Sequence, residues 1–210
     1  MDLASIRGDS LVSRQEADRR RRSVQRSQAF LDSVPSNYVA LPNTDVRARL
    51  IPACKPKLDS WLDYPTQSAI LYGGIGLGKS VMAVWMCQQM LLGAVPSAAW
   101  ISWTTMLHDF SWNMSDDPVA ALTEPEILVI DDVGAESIET TKAQAKLLFE
   151  LIEHRTNESA KITIYTTNVS LAAGPGSFPS IVGERSWDRI KRSLTALEFR
   201  GESLRKVYRD

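Results

Sequence analysis

The residues Gly73-Gly74-Ile75-Gly76-Leu77-Gly78-Lys79-Ser80 follow the spacing G-x-x-x-x-G-K-S. Glycines at this density let successive backbone N–H groups turn inward as a concave nest for an anion. A helix opening directly behind the loop adds the positive end of its dipole. The lysine can pair with the outer phosphates of a nucleotide, and the neighbouring serine hydroxyl is placed to ligand a divalent cation. The pattern therefore predicts capture of a nucleoside triphosphate, ATP with Mg2+, by residues Gly73 to Val81. A glycine-rich turn opening a core helix is the bland alternative. The full spacing, the terminal Lys-Ser pair and the apolar flanks speak against it.

A second chemical stretch is Ile127-Leu-Val-Ile-Asp131-Asp132. Four consecutive apolar residues read as a strand buried on both faces, as parallel sheets require. Two carboxylates then emerge at its C-terminal end, where α/β sheets bind ligands. Asp131 is suited to hold Mg2+ with Ser80, directly or through water, and Asp132 to accept a proton from an attacking water. Two aspartates capping a turn are the simpler reading. Asn168 closes another apolar run, Lys161–Thr167, where its amide is placed to orient that water; an Asn at such a point also commonly starts a turn.

These groups need a scaffold of alternating strands and helices. Ala69–Tyr72, Ala98–Trp103, Ile127–Ile130 and Lys161–Thr167 read as strands, with a short one at Leu197–Phe199. Helices are expected at Ala53–Leu62, Val81–Leu92, Lys142–Arg155 and Ile181–Ser193. Such alternation predicts a parallel α/β sheet flanked by helices. Between Thr104 and Leu122 stand Met106, Leu107, Phe110, Trp112 and Met114, whose helical spacing reads as core. Stacking of exposed members on unpaired bases is the other reading, weakened by the absence of Lys or Arg nearby.

At the N-terminus, Ser13 and Glu16 form a capping-box pattern that starts a helix running through Arg19–Arg22 towards Leu31. Pro35 ends it. This helix is polar nearly all round and gains little from burial. It reads either as a solvated arm or as a docking arm for an acidic partner or nucleic acid phosphates. The expected division is an Arg-rich arm over 1–33 and a nucleotide-binding domain over 34–210.

The whole chain has 210 residues and a net charge of −1, enough for one α/β domain and a short appendage. The charge is unevenly spread. Seven arginines lie within residues 7–26 and eight Lys or Arg within 185–209, with none between Ser80 and Thr141. Polyanion contacts are thus expected at the two ends. Cys54 and Cys87 lack metal-ligand spacing, which fits a reduced, cytoplasmic setting. There is no signal peptide or membrane-spanning run, so no membrane partner is expected.

Six segments together resemble the AAA+ ATPases of the DnaC/IstB type, a group that includes bacterial and phage replicative helicase loaders. They are Val34-Pro35-x-x-Tyr38, the glycine loop, Ile130-Asp-Asp-Val-Gly-Ala-Glu136, Thr166-Thr-Asn168, Gly183-Glu-Arg-Ser-Trp-Asp-Arg-Ile190 and Gly201-Glu-Ser-Leu-Arg205. The resemblance spans about residues 34–208. It implies a P-loop NTPase fold of the AAA+ (ASCE) kind with a short helical N-terminal arm and no full C-terminal lid.

Carried over by position, it makes Lys79 and Ser80 Walker A, Asp131 and Asp132 Walker B, and Asn168 a sensor 1 residue. Arg189 resembles the arginine finger, with Arg185 the competing candidate, and Arg205 resembles the sensor 2 arginine. ATP hydrolysis would then be completed between subunits of an oligomer, often an open spiral. The implied function is that of a loader which binds a replicative helicase and helps place it on single-stranded DNA. An IstB-like ATPase helper of a transposase uses the same core. From a different class, a small-molecule P-loop kinase shares the loop, but the Asp132–Glu136 segment argues against it. A binding-only scaffold is the remaining alternative, because Asp132 stands where many AAA+ proteins carry the longer glutamate.

Overall fold

A computed structural model describes residues 3–39, 43–65, 67–93, 95–112, 119–134, 141–158 and 161–205. Its centre is a sheet of five parallel strands: β1 (Ser68–Gly73), β2 (Ala98–Ser102), β3 (Ile127–Val133), β4 (Ile162–Thr167) and β5 (Leu194–Phe199). The strand order is β2-β3-β4-β1-β5. That order decides the site. It sets β4 between β1 and β3, so the glycine loop, Asn168 and the aspartate pair leave three adjacent strands at their C-terminal ends.

Side chains alternate across the sheet with the period of a strand. Ala69, Leu71, Ile127, Val129, Ile164, Leu197 and Phe199 face one apolar layer; Ile70, Leu128, Ile130 and Tyr165 face the other. The first layer is built by α4 (Lys55–Asp63), α5 (Lys79–Leu92) and the end of α1 (Leu3–Ser33). The second holds α6 (Trp103–Trp112), α8 (Lys142–Asn157), α9 (Phe178–Val182) and α10 (Glu184–Lys191). Both faces are covered, which is why the strands read as continuous apolar runs.

Helix α5 is apolar on most faces because it lies between the sheet and α1. Met82, Ala83, Val84, Met86, Cys87 and Leu91 are each no more than 2% exposed. Cys54 and Cys87 are free and buried. Thr141 and Gln144 close a capping box at the start of α8, with Gln144 Oε1 accepting from the Thr141 N–H at 2.8 Å. Near the other end of α8, Arg155 is 2% exposed. It donates to the carbonyls of Pro125 (2.8 Å), Leu122 (3.0 Å) and Ile162 (2.7 Å), tying the helix to the starts of β3 and β4.

Three expectations are revised. The N-terminal helix does not start at Ser13; it already runs from Leu3, because no proline interrupts the upstream residues and the helix propagates through them. Nor does it gain little from burial at its C-terminal end. Ser23, Ser27, Phe30 and Val34 are buried at helical spacing, and Phe30 and Val34 join the α5 layer. The helix expected over Ile181–Ser193 is split into α9 and α10 at Gly183, whose φ of 87° breaks the helical path. Met106, Leu107 and Phe110 are core, as their spacing suggests, and Trp103, expected to end the strand, instead opens α6 and is buried with them. Met114 and the Trp112 side chain lie outside the described residues.

Candidate functional site

The glycine loop joins β1 to α5. Gly76 (φ 75°) and Gly78 (φ 84°) adopt the left-handed conformation that favours glycine. Gly78 is also hemmed in: a Cβ there would stand 2.8 Å from a methyl of Val46, on α3 (Asn43–Ala48). Ile75 is exposed at the tip of the loop, whereas Leu77 and Val81 are buried and anchor its ends.

Lys79 is 5% exposed and folds back over the loop. Its Nζ donates to the Gly73 carbonyl at 3.0 Å, the Gly74 carbonyl at 2.7 Å and Asn168 Oδ1 at 2.5 Å. All three ammonium protons are thereby engaged. Burial lowers the Lys79 pKa to about 8, against the opposing attraction of Asp132 and Asp131.

Asn168 then turns its other end to the aspartates, donating from Nδ2 to Asp132 Oδ1 at 3.3 Å. The amide thus links the loop lysine to the second carboxylate. Asp131 is 1% exposed. Burial pushes its carboxyl above the usual range, opposed by the hydroxyls of Thr166 and Ser80.

The strand is irregular at this point. The β3–β4 register shifts between Ile130 and Val133, and Asp132 takes a φ of 60°, which non-glycine residues rarely adopt. One side chain on β4 holds the distortion. Thr166 Oγ1 donates to Asp131 Oδ1 at 2.6 Å and accepts the Asp132 N–H at 2.9 Å. Bulges of this kind re-aim side chains beside active sites. Here the bulge turns two consecutive carboxylates toward one place.

The C-terminal segment also reaches the loop. Leu204 N–H donates to the Gly76 carbonyl at 2.7 Å, and the positive charge of Arg205 contributes to lowering the Lys79 pKa. The remaining two arginines lie elsewhere. Arg185 and Arg189 stand one turn apart on α10 and line a cleft of about 830 Å³ with Phe149 and Trp187. Arg189 is paired with Glu153 at 2.7 Å, and its guanidinium lies 5.3 Å from the centre of the Phe149 ring. So Lys79, Ser80, Asp131, Asp132, Asn168 and Arg205 gather at one end of the sheet, and Arg185 and Arg189 do not join them. Ala135 and Glu136 fall outside the described residues.

The residues present fit a magnesium–nucleotide pair. Ser80 and the buried Asp131 offer oxygen donors only, as a hard cation prefers. Among the described residues, no group of three or more His, Cys, Asp or Glu could hold a metal. Mg2+ takes one or two protein ligands and fills the rest of its shell from phosphates and water.

The family description "IstB-like ATP binding protein" matches residues 6–210. The chain belongs to this ATP-binding family. Among solved structures it is similar to a candidate primosome component from Streptococcus pyogenes serotype M3, at 20% identity and a TM-score of 0.64, covering 82% of this chain and 93% of that one. It is similar to the DnaC helicase loader at 20% identity and a TM-score of 0.56, over 69% and 87% of the two chains. A third likeness is to DnaI, at 15% identity and a TM-score of 0.63, over 82% and 94%. At these identities the likeness establishes the fold, an AAA+ P-loop sheet. No curated protein matches the chain. Among the described residues no helix is long and apolar enough to cross a membrane.

The sequence patterns carry Thr166 and Tyr38 only as parts of longer segments, Thr166-Thr-Asn168 and Val34-Pro35-x-x-Tyr38. Tyr38 lies on α2 (Ser36–Val39), and its ring packs on Trp100 with centroids 6.1 Å apart. Its type and position gave one signal: a Tyr three residues after a helix-ending proline.

Proposed function

We propose that this family member hydrolyses ATP, and that it uses the cycle to bind a replicative helicase and help place it on single-stranded DNA. The observation that carries the ATPase reading is the continuous chain from Lys79 through Asn168 to Asp132, with Asp131 fixed beside it by Thr166. Lys79 and the loop N–H groups would bind the triphosphate. Ser80 and Asp131 would hold Mg2+, which when bound neutralises developing charge on the phosphates. Asp132 is the group to take a proton from an attacking water, and Asn168 orients both that carboxylate and the lysine. Arg205 would add charge at the loop. Arg189, with Arg185 beside it, would serve the pocket of a neighbouring copy, which makes the working form an oligomer.

Support for the loader role is the shared fold with proteins named as a helicase loader and a candidate primosome component. A second reading rests on the family description itself: an IstB-like helper that directs a transposase. The two differ in partner. Affinity purification of the full chain from its native host in the presence of ATP should recover a hexameric replicative helicase. Recovery of a transposase instead would overturn the loader reading and select the second.

A further inference from the structure

We propose that Glu153 is a positioning residue for Arg189: it holds the guanidinium ready for the phosphates of a neighbouring copy. The proposal rests on the reading above, in which Arg189 serves that neighbour. Its basis is a grip made between two helices. Arg189 Nη2 donates to Glu153 Oε1 at 2.7 Å, and the guanidinium carbon lies 5.3 Å from the centre of the Phe149 ring.

Helix spacing builds the grip. Phe149 and Glu153 are four residues apart on α8, so they are neighbours on one face. The helix is fixed at both ends. Thr141 and Gln144 cap its start, and Arg155, two residues beyond Glu153, is tied to the carbonyls of Pro125 and Ile162. The carboxylate therefore stands on a firmly held turn. Helix α10 is seated as well: Ser186 and Ile190 are buried, and the Trp187 ring meets Phe178 edge-on at 5.6 Å.

The other charges of α10 make no such link. Asp188 pairs with Arg192 at 2.7 Å and Lys191 at 3.1 Å, all on the same helix. Arg185 makes no ion pair among the described residues. Arg189 alone of these cations is bonded to another element.

A guanidinium has five N–H donors in a planar fork, and Glu153 takes one of them. The rest stay free for phosphate oxygens, which suit that fork. The Arg189 side chain remains 29% exposed, so an incoming phosphate can reach it. An unsupported arginine would have to give up its rotamer freedom on contact; one already held on a ring and a carboxylate has less to lose.

Glu153→Ala removes the carboxylate and leaves a strong helix former in its place. Phosphate release is measured on the full chain at saturating ATP–Mg2+, at protein concentrations where wild-type turnover per chain has levelled off. Turnover is expected to fall about tenfold with half-saturation by ATP unchanged. In an Arg189→Ala background the same change should cost nothing further, because the group it holds is gone. Adding Lys79→Ala chains, whose Arg189 is intact, should restore turnover in the Glu153→Ala pockets. A second fall of similar size in the Arg189→Ala background would overturn the proposal, since the effect would bypass Arg189. Unchanged turnover in Glu153→Ala would do so too, as would a rise, because the carboxylate would then restrain the arginine rather than present it. So would a Glu153→Ala mixture that fails to recover where the Arg189→Ala mixture does. The parent reading is judged separately: Arg189→Ala with wild-type turnover, or with no recovery in its own mixture, would sink it and the Glu153 assignment with it.

Discussion

Arg189 and Lys79 sit at opposite ends of β1. Arg189 lines a cleft with Ser68, the first residue of that strand, whereas Lys79 donates to the carbonyl of Gly73, the last. A strand of this length spans about 17–20 Å, more than an arginine side chain bridges. In the proposed mechanism Arg189 therefore cannot serve the pocket of its own chain, and its phosphate must belong to a neighbour.

Arg189→Ala should leave ATP affinity close to wild type and lower turnover by about 10³-fold. Mixing it with Lys79→Ala subunits should restore part of the activity, because each variant supplies what the other lacks. Phosphate release measured across mixing ratios decides the matter. No recovery at any ratio would count against a finger acting between copies.

Thr166→Val removes the hydroxyl that grips Asp131 and the Asp132 N–H while preserving volume. Turnover is expected to fall about 10–100-fold with nucleotide affinity little changed. Stability should drop by about 1–3 kcal/mol from the buried groups left unpaired. Single-turnover kinetics and urea unfolding report the two effects separately.

The pH dependence follows from Lys79, whose pKa burial lowers from an ordinary 10.5 to about 8. Phosphate pairing needs the ammonium form. Above about pH 8 the free protein loses that proton, so binding must take one up and affinity should weaken by up to about tenfold per pH unit. The stability effect has the opposite sign: because the folded pKa is the lower one, this residue's penalty is full below about pH 8 and fades as pH rises towards 10.5. Nucleotide titrations from pH 7 to 9.5 test it; a flat profile would remove Lys79 from the phosphate contact.

The loop, the aspartate pair and Asn168 were legible in the sequence because each is a local pattern with its own chemistry. Their adjacency was not. It depends on β4 lying between β1 and β3, which is a non-local choice of strand order. Thr166 escaped for a related reason, since its role exists only where β3 bulges against β4. The buried stripe on α1 was hidden by its composition: Ser23 and Ser27 occupy two of its positions and read as polar, though small residues let helices approach closely. In the sequence Arg155 marks only the end of an expected helix, and the fold reveals the carbonyls gathered around it.

Arg155→Met should therefore destabilise the protein by about 3 kcal/mol or more, because several buried carbonyls lose their donor at once. Nucleotide affinity of the folded fraction should stay near wild type, since the residue lies at the strand ends away from the loop. Chemical denaturation and nucleotide titration below the transition check both halves.

The most direct test is the affinity of ATP–Mg2+ for the wild-type chain and for Lys79→Ala, measured by calorimetry. The account expects one site per wild-type chain and a loss of about 100-fold or more in the variant, equal to about 2.7 kcal/mol of charged hydrogen bonding. Near-normal affinity in Lys79→Ala would contradict it.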